Sequence, residues 1–269
     1  MPDRLTVATW NVNSIRSRLD HVGRFVAAHG PDVLCLQETR CPDGNFPLAA
    51  IRALGYEHIA LNGKNGHHGV AVASRRPLSA ILVERFALID EPRHLAVAVP
   101  FAGAALTLHN LYIPAGGDAP DPAVNPRFAA KLAFLDALMP WSAVAGAAGP
   151  GIVVGDLNVA PLPDDVWSHR QLLDVVSHTP GETNRLEAVL AAGGWVDAVR
   201  AATPPPEKVF TWWSYRAREW QEANRGRRLD HLWVTADLAP AVRRIAVVTE
   251  TRGWERPSDH VPIVAVLEA

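Results

Sequence analysis

Residues 5–37, LTVATWNVNSIRSRLDHVGRFVAAHGPDVLCLQ, contain two apolar segments separated by a segment with helical spacing. The segment 5–10 is mostly apolar, which predicts a buried strand. The segment 16–30 places apolar residues at helical spacing and ends in glycine followed by proline, which predicts an amphipathic helix that stops there. The segment 32–37 is another short apolar run and predicts a second strand. A strand, a helix and a strand in this order indicate a βαβ unit, the opening of an α/β fold.

Strands outnumber helices in the remainder of the chain. Further strands are predicted at 69–74, 95–101, 105–113, 151–155, 229–235, 243–249 and 261–267. Helices are predicted near 46–54, 126–138 and 184–193, while 143–151 and 203–206 have the composition of loops. Many strands with few crossover helices favour two packed sheets over a single doubly wound sheet. No stretch has the length and polarity of a domain linker, so we expect one α/β domain over 1–269.

Composition limits the classes of function that fit. At 269 residues, with 48% hydrophobic and 20% charged residues, the chain has ample material for a buried core. The formal net charge of −2 excludes a generally basic nucleic-acid binder, so any binding of a polyanion must be local. Cys35 and Cys41 provide neither a disulfide framework nor the spacing of a zinc finger. No signal segment or run of membrane-span length is found, so we expect a cytoplasmic protein without membrane contact.

Polar side chains stand next to several of the predicted strands. They are Asn11 after the first strand, Glu38 after the second, Asp156 and Asn158 after the strand at 151–155, Asp230 within the strand at 229–235, and Asp259 and His260 before the last strand. Carboxylates in such apolar surroundings require a partner or a metal, because a buried unpaired charge is heavily penalised. Carboxylate and amide oxygens without a cluster of Cys and His point to a hard cation such as Mg²⁺ rather than to zinc.

Each of these residues also has an ordinary structural interpretation. Asn11 could be a turn residue at a strand end, and Glu38 a solvated partner in a salt bridge. The segment GDLN at 155–158 could be a β-turn, and Asp259 could cap a helix. Asp230 is harder to explain in this way, because its apolar neighbours indicate a buried position. The joint occurrence of these residues favours a single site over separate structural roles.

Eight short motifs carry a resemblance to a known family. They are ATWNVNSIRSRL, LCLQETR, GHHGVAV, NLYIPAGG, VVGDLNVAP, FTWWSYR, GRRLDHLWV and PSDHVPI. In this order, from about Thr6 to Val266, they resemble the exonuclease III family. That family comprises bacterial abasic-site endonucleases and 3′-to-5′ exonucleases of the deoxyribonuclease I-like phosphoesterase superfamily. The resemblance implies a four-layer α/β sandwich, in which two mixed β-sheets pack face to face with helices outside.

The resemblance implies a divalent-ion site for Mg²⁺, with Mn²⁺ as a substitute. Glu38 and Asn11 match the family residues that bind or adjoin the ion, and Asp259 matches another carboxylate on the metal side. The full set of candidate metal-side residues is Asn11, Glu38, Asp156, Asn158, Asp259 and His260. Among them Glu38 is the clearest hard-oxygen ligand.

The resemblance also implies roles in phosphodiester hydrolysis. Tyr112 matches the tyrosine that contacts the scissile phosphate, and Asn158 a donor to that phosphate. Asp156 matches the residue that orients and deprotonates the attacking water. His260 matches a histidine that contacts the phosphate, and Asp230 the carboxylate that holds its ring. Whether Asp156 or His260 takes the proton stays open.

The substrate is indicated by a second region, 210–228, in which aromatic and basic residues are concentrated. Such residues beside a phosphoesterase site suit a DNA backbone and an extruded sugar. By the resemblance, Trp212 and Leu229 line a pocket for a sugar without its base, and Arg227 lies at the pocket edge. Trp213 could equally be a core residue. We expect a monomer that acts on double-stranded DNA with abasic sites or recessed 3′ ends.

Two departures from the family leave the balance of activities open. Arg227 stands where relatives often have an aromatic or aliphatic residue, and the loop at 162–184 lacks the usual pattern. Endonuclease, exonuclease and 3′-phosphatase activities are therefore all compatible with the sequence. The alternatives are a phosphoesterase that acts on RNA, an inositol phosphate or a phospholipid, and a DNA-binding relative without catalysis. The aromatic and basic region at 210–228 argues against the former, and the filled catalytic positions argue against the latter.

Overall fold

The computed structural model describes residues 3–87, 89–216 and 219–269. Within these ranges the chain forms two six-stranded sheets. Sheet A contains, from edge to edge, β11 (Val242–Val247), β12 (Ile263–Glu268), β1 (Arg4–Asn11), β2 (Val33–Gln37), β4 (Val70–Ser74) and β3 (His58–Asn62). Sheet B contains β5 (Ser79–Leu82), β6 (His94–Phe101), β7 (Ala104–Tyr112), β8 (Gly151–Asp156), β10 (Asp230–Thr235) and β9 (Trp195–Asp197). The helices in the same ranges are α1 (Leu19–His29), α2 (Leu48–Ala53), α3 (Pro126–Ala147), α4 (His169–Leu172), α5 (Pro180–Ala192), α6 (Ala198–Ala202) and α7 (Trp220–Ala223).

The opening βαβ unit forms as the sequence predicts. Strands β1 and β2 pair in parallel, with Val7 opposite Val33, and α1 connects them. Helix α1 begins at Leu19, three residues later than predicted. It ends where Gly30 adopts a left-handed conformation, with φ 51°, and donates its N–H to the carbonyl of Val26. Glycine takes this conformation without the steric penalty of a Cβ, which explains why the helix stops there.

Four layers result from the way the apolar faces are buried. Between the sheets, buried side chains of both sheets form one core, with Val7 from sheet A and Leu108 from sheet B among them. On the outer face of sheet A, Phe25 of α1 packs into a second cluster. On the outer face of sheet B, Phe134 of α3 packs into a third. Both sheets are mixed, because the β1–β2 and β7–β8 pairs are parallel and the other pairs antiparallel. The predicted four-layer sandwich is confirmed.

Helix α3 differs from the prediction in length and in character. It continues to Ala147 instead of ending near 138, so most of the segment 143–151 is helical and not a loop. Among the described residues it is the one helix that is long and apolar enough to cross a membrane by length and composition, contrary to the sequence-based expectation. Its inner side chains, including Phe134 and Leu138, are buried in the cluster over sheet B. The apolar composition thus serves helix–sheet packing in this fold.

Three strands that the sequence did not predict lie at sheet edges. Strand β3 borders sheet A, and β5 and β9 border sheet B. The strands are short, and all four residues of β5 are exposed. An edge strand pairs on one side only, so its sequence shows no consistent burial pattern: β5 is apolar yet exposed, and β9 has three residues.

The topology brings the polar ends of the central strands to one mouth of the sandwich. Asp156 ends β8 and lies in register with Tyr112 at the end of β7 and with Asp230 at the start of β10. Asn11 ends β1 in the facing sheet, in register with Gln37 at the end of β2. The two sheets therefore present their strand termini to the same cleft.

Candidate active site

Asn11 joins the two sheets across the mouth of the sandwich. Its side chain is fully buried, and its Nδ2 donates to Asp156 Oδ2 at 2.9 Å and to Glu38 Oε2 at 3.0 Å. Its Oδ1 accepts from the backbone N–H of Asn13 at 3.0 Å. The asparagine thus fixes the spacing between the carboxylate of sheet B and the carboxylate that follows β2.

Glu38 is held in a defined orientation at the end of β2. Its backbone has φ 57°, a left-handed conformation that is uncommon outside glycine and asparagine. Its Oε2 also accepts from the hydroxyl of Tyr112 at 3.1 Å, and its Oε1 forms an ion pair with Arg40. Burial, together with the charges of Glu38 and Asp156, raises the pKa of Tyr112 well above its usual value. Tyr112 is therefore a neutral hydrogen-bond donor at physiological pH.

The GDLN segment forms the tight turn that follows β8. Gly155 has φ 137°, and a Cβ at this position would lie 1.9 Å from the carbonyl oxygen of Leu111, so only glycine fits. Asn158 adopts φ 52° and donates its backbone N–H to Asp156 Oδ1 at 2.9 Å. Its Nδ2 donates to Asp156 Oδ2 at 3.0 Å and to the carbonyl of Ile113 at 2.9 Å. Both amide hydrogens of Asn158 are thereby used, so a contact with a phosphate requires one of these bonds to break.

His260 lies between two buried carboxylates. Its Nδ1 is 2.8 Å from Asp230 Oδ2, and its Nε2 is 3.6 Å from Asp156 Oδ2. Burial alone would lower the pKa of His260, but the charges of Asp230 and Asp156 outweigh burial and raise it to about 10. Burial raises the pKa of Asp156 to about 7, against the opposing effect of the His260 charge. The two carboxylates therefore favour the protonated form of His260.

Asp259 faces a different set of partners from its neighbour His260. Its Oδ1 accepts from Asn13 Nδ2 at 2.9 Å, and its Oδ2 accepts from the indole Nε1 of Trp212 at 3.0 Å. Burial raises the pKa of Asp259, but the His260 charge and these hydrogen bonds outweigh it, so that the pKa lies below its usual value. Asp259 is therefore ionised and ties the position of Trp212 to the polar centre.

These residues line a cleft with a volume of about 840 Å³. One wall is polar and includes Glu38, Tyr112, Asp156, Asn158, Asp259 and His260. A second part of the lining, here called the aromatic wall, includes Trp167, Val176, Ser177, Trp212, Arg225, Arg227 and Leu229, and it adjoins the polar wall where Trp212 contacts Asp259. Asn11 and Asp230 are fully buried and support the polar wall from behind.

The aromatic wall contains the three residues expected to form a lesion pocket. The guanidinium of Arg227 lies 5.3 Å from the centroid of the Trp212 ring. Its Nη1 donates to the carbonyl of Val176 at 2.9 Å and to Ser177 Oγ at 2.7 Å. Burial lowers the pKa of Arg227 below its usual value, but it remains a cation. Leu229 is buried beside these residues.

Trp212 and Trp213 are adjacent but have different surroundings. Trp213 is buried and packs edge to face against Phe210 and Trp220, so the interpretation as a core residue is confirmed. Trp212 is half-buried and faces the cleft. Within the aromatic and basic region at 210–228, residues 217–218 lie outside the described part of the chain.

The donor chemistry of the cleft fits a hard cation. Glu38, Asp156 and Asp259 contribute carboxylate oxygens to its polar wall. Among the described residues, one group of three metal-binding side chains has ligand atoms within 4.8 Å of one another, and it consists of Asp156, Asp230 and His260. Because the proton on His260 Nδ1 is shared with Asp230, this triad resembles a proton-holding unit more than a metal cage.

Two contributors to this centre were missed by the sequence analysis. Asn13 binds Asp259, and Arg40 pairs with Glu38. Both lie two residues from a predicted site residue, within the motifs NVNS and QETR. Their proximity was the available signal, but the chain turns out of the strand at both places, with Asn13 at φ 46° and Arg40 at φ 54°, so the alternation of a strand no longer shows which side chains turn inward.

Comparisons with known proteins agree with this architecture. The chain matches the endonuclease/exonuclease/phosphatase family over residues 8–260. Exodeoxyribonuclease III of Haemophilus influenzae is 28% identical over 267 residues, which cover 96% of this chain and 97% of that protein. The structure of an AP endonuclease from Archaeoglobus fulgidus is similar with a TM-score of 0.89 at 32% identity, covering 98% of this chain and 100% of that chain. The structure of the 3′ phosphatase NExo from Neisseria, bound to a product DNA hairpin, has a TM-score of 0.88 at 30% identity and covers 97% of this chain and 98% of that chain.

The two-sheet sandwich with an acidic cleft at its strand ends defines the class of metal-dependent phosphodiester hydrolases. Within this class the chain belongs to the endonuclease/exonuclease/phosphatase family. The resemblance to exonuclease III enzymes that the eight motifs predict is confirmed. The relatives support a function as a DNA-repair exonuclease or AP endonuclease.

Proposed function

We propose that the protein is a Mg²⁺-dependent DNA-repair phosphodiesterase. It acts as an abasic-site endonuclease and a 3′-to-5′ exonuclease, and the same active site has 3′-phosphatase activity. The main observation behind this proposal is that two different walls line the same cleft. The polar wall around Asp156 suits phosphodiester hydrolysis, and the wall formed by Trp212, Arg227 and Leu229 suits DNA. The relatives that act on DNA support the same substrate class.

Glu38 is the residue that we propose to hold the metal ion, with Asp259 and Asp156 as further oxygen donors. Its Oε1 and Oε2 are oriented by Arg40, Asn11 and Tyr112, so the carboxylate is preorganised for a ligand. When bound, Mg²⁺ would supply neutralisation of phosphate charge and stabilisation of the leaving 3′ oxygen. Mn²⁺, which prefers the same oxygen ligands, is expected to substitute.

Asp156 is the residue that we propose to take the proton of the attacking water. Its raised pKa, about 7, suits a general base near neutral pH. The alternative base, His260, is protonated in this range because carboxylates face both of its ring nitrogens. As an imidazolium it would donate to the phosphate and stabilise the charge that develops there, with Asp230 fixing its ring. Tyr112, a neutral donor at the cleft wall, would contact the phosphate from the other side.

The aromatic wall is the part that we propose to recognise the lesion. Trp212 and Leu229 offer apolar surface for a sugar that lacks its base, and an intact nucleotide would be excluded by its size. Arg227, which already donates to Val176 and Ser177, keeps a charge beside this surface and would face a neighbouring phosphate. All of these groups come from one chain, which supports action as a monomer and as a single domain.

The decisive experiment compares purified protein on a panel of substrates in the presence of Mg²⁺. The panel contains a duplex with an abasic site, a duplex with a recessed 3′-OH, a duplex with a 3′-phosphate, an RNA duplex and an inositol polyphosphate. We expect turnover of the DNA substrates that excess EDTA abolishes. Faster hydrolysis of the inositol phosphate or the RNA than of any DNA would overturn the proposal, and the rates on the three DNA ends would rank the activities.

A further inference from the structure

A buried ion pair lies behind the floor of the cleft and belongs to none of the motifs discussed above. Lys131 of α3 and Glu182 of α5 are both fully buried, and Lys131 Nζ lies 2.5 Å from Glu182 Oε1. Removing two charges from water is unfavourable unless their remaining hydrogen-bonding groups are satisfied. The hydrogen-bond partners of each residue therefore indicate the structural role of the ion pair.

Lys131 uses its remaining ammonium hydrogens on two loops of the cleft. It donates to the carbonyl of Asn158 at 2.7 Å and to the carbonyl of Ala115 at 3.3 Å. Asn158 is the left-handed residue that binds both oxygens of Asp156. Gly116 packs directly on the lysine stem, since a Cβ at that position would lie 2.8 Å from Lys131 Cδ. The ammonium thus fixes the turn that orients the proposed base.

Glu182 uses its carboxylate on a third loop. Both of its oxygens accept from the backbone N–H of Ser177 at 2.9 Å, and Oε2 also accepts from Thr179 Oγ1 at 2.7 Å. Ser177 is held at φ 85°, an unfavourable conformation for a residue with a Cβ, so the two bonds stabilise a strained turn. Ser177 lines the cleft, and its Oγ accepts from Arg227 at 2.7 Å.

We propose that Lys131 and Glu182 form a positioning pair that locks the catalytic turn at Asn158 to the pocket loop at Ser177. Neither residue touches the substrate. Their role is to set the distance between the groups that hydrolyse the phosphodiester and the wall that recognises the lesion, and it rests on the function proposed above. A continuous path of contacts supports this coupling and runs from Asp156 through Asn158, Lys131, Glu182 and Ser177 to Arg227.

Glu182→Gln is the sharpest single test. Glutamine keeps the size and an acceptor for Ser177, but it removes the charge that holds the lysine, so the Asn158 turn loses its anchor while the helices stay packed. We expect kcat on the abasic duplex to fall by about tenfold or more at saturating DNA, because displacements of about 1 Å at a reacting centre have effects of this size. KM should change by less than about threefold, and the preference for abasic over intact duplex should decrease.

Ser142→Ala is the matched control. Ser142 is a buried residue of α3 that does not line the cleft, and its Oγ donates to the carbonyl of Val189 in α5 and accepts from Trp195 Nε1. Its loss should lower stability in the α3–α5 region without changing kcat or the abasic preference of the folded enzyme. Rates are measured well below each midpoint of thermal unfolding, with folding verified by near-ultraviolet circular dichroism.

The double variant Lys131→Met/Glu182→Gln guards against failure to fold, since it leaves no unpaired charge in the interior. If Glu182→Gln does not fold, the double variant should fold and show the same loss of kcat. Unchanged kcat and unchanged abasic preference in whichever of these variants folds would overturn the proposal, as would an equal loss in Ser142→Ala. The wild-type rates distinguish this failure from that of the proposed function, because a wild-type enzyme without activity on any DNA would refute the function itself.

Discussion

His260 and Asp230 form a hydrogen-bonded pair in which Nδ1 lies 2.8 Å from Oδ2, and the second nitrogen of the ring faces Asp156. The two residues are 30 positions apart in sequence, on the loop before β12 of sheet A and on β10 of sheet B. The pair therefore spans both sheets. With carboxylates at both nitrogens, the imidazole is held in its cationic form, which supports our proposal that Asp156 takes the proton of the attacking water.

Asp156→Asn should lower kcat on abasic duplex by at least about 10²-fold, because it removes the proposed base. His260→Ala should have an effect of similar size by removing the cation beside the phosphate. DNA binding, measured by fluorescence anisotropy in Ca²⁺ to prevent turnover, should change much less. Near-normal kcat in both variants would show that the reaction does not depend on this pair.

Asp230→Asn should shift the alkaline limb of the kcat profile to lower pH. Against the lowering effect of burial, the charges of Asp230 and Asp156 raise the pKa of His260 to about 10, so the imidazolium is lost only as pH rises through that value. Without the carboxylate, His260 loses its proton at lower pH, and activity should decline earlier as pH increases. A kcat profile from pH 6 to pH 10 for wild type and variant tests this, and superimposable alkaline limbs would contradict it.

Glu38→Gln should sharply weaken the binding of divalent ions. Glutamine preserves the contacts with Asn11 and Tyr112 in shape but removes the anionic ligand. We expect a higher Mg²⁺ concentration for half-maximal rate and a large loss of kcat. The measurement is a titration of rate against Mg²⁺ and Mn²⁺, together with binding of Mn²⁺ followed by electron paramagnetic resonance. Turnover by wild type that persists in excess EDTA would refute the metal site.

Trp212→Ala should weaken the discrimination between abasic and intact duplex while dependence on Mg²⁺ persists. The indole lines the cleft and is held by Asp259, so its removal opens the proposed pocket to larger nucleotides. Trp213→Phe is a suitable comparison, because Trp213 belongs to the core. It should reduce stability without changing discrimination. An unchanged abasic preference in Trp212→Ala would mean that this surface does not recognise the lesion.

Arg227→Ala should weaken DNA binding and reduce the slope of log K against log salt concentration by about one unit. The Arg227 side chain already donates to Val176 and Ser177. A smaller change in the salt slope would therefore indicate that Arg227 holds this loop and does not bind a phosphate. The control is Arg243→Ala, an exposed arginine on β11 away from the cleft. Both variants are compared by salt titration on paired abasic and intact duplexes.

A buried pair of histidines predicts loss of stability in mild acid. His94 Nε2 lies 3.1 Å from His109 Nδ1, and burial lowers the pKa of these residues to about 3 and about 4. The folded state therefore prefers neutral imidazoles, and this stability is present above the unfolded pKa of 6.5 and is lost as pH falls towards 4. The slope approaches about 1.4 kcal/mol per pH unit for each histidine.

The measurement is urea unfolding of wild type and His109→Leu at pH 7, 6 and 5. The variant should lose less unfolding free energy than wild type over this range, because it has one fewer group to protonate. His231, another buried histidine with its pKa lowered to about 4, remains in both proteins and cancels in the comparison. Equal slopes of unfolding free energy against pH would show that the pKa of His109 is not lowered in the folded state.

The βαβ opening, the central strands and the chemical types at the strand ends could be predicted from the sequence. Hydrophobic periodicity is a local property, so segments such as 5–10 and 151–155 reveal their burial without any knowledge of their neighbours. The edge strands β3, β5 and β9 were not predicted. Each pairs with one neighbouring strand only, so the burial of its residues is less regular than in a central strand. The order of the eight motifs indicated the family, and the family match confirms it.

The tertiary structure was needed to show which of these groups contact one another and which of them are protonated. Asn11 reaches Asp156 across 145 positions, Asp259 binds Trp212 while Trp213 turns into the core, and Lys131 pairs with Glu182 behind the cleft. The members of these pairs are far apart in the sequence, and no local sequence pattern indicates that they are in contact. Their pairing follows from the packing of two sheets and two helices, because a buried polar group is stable only where the fold provides its partner.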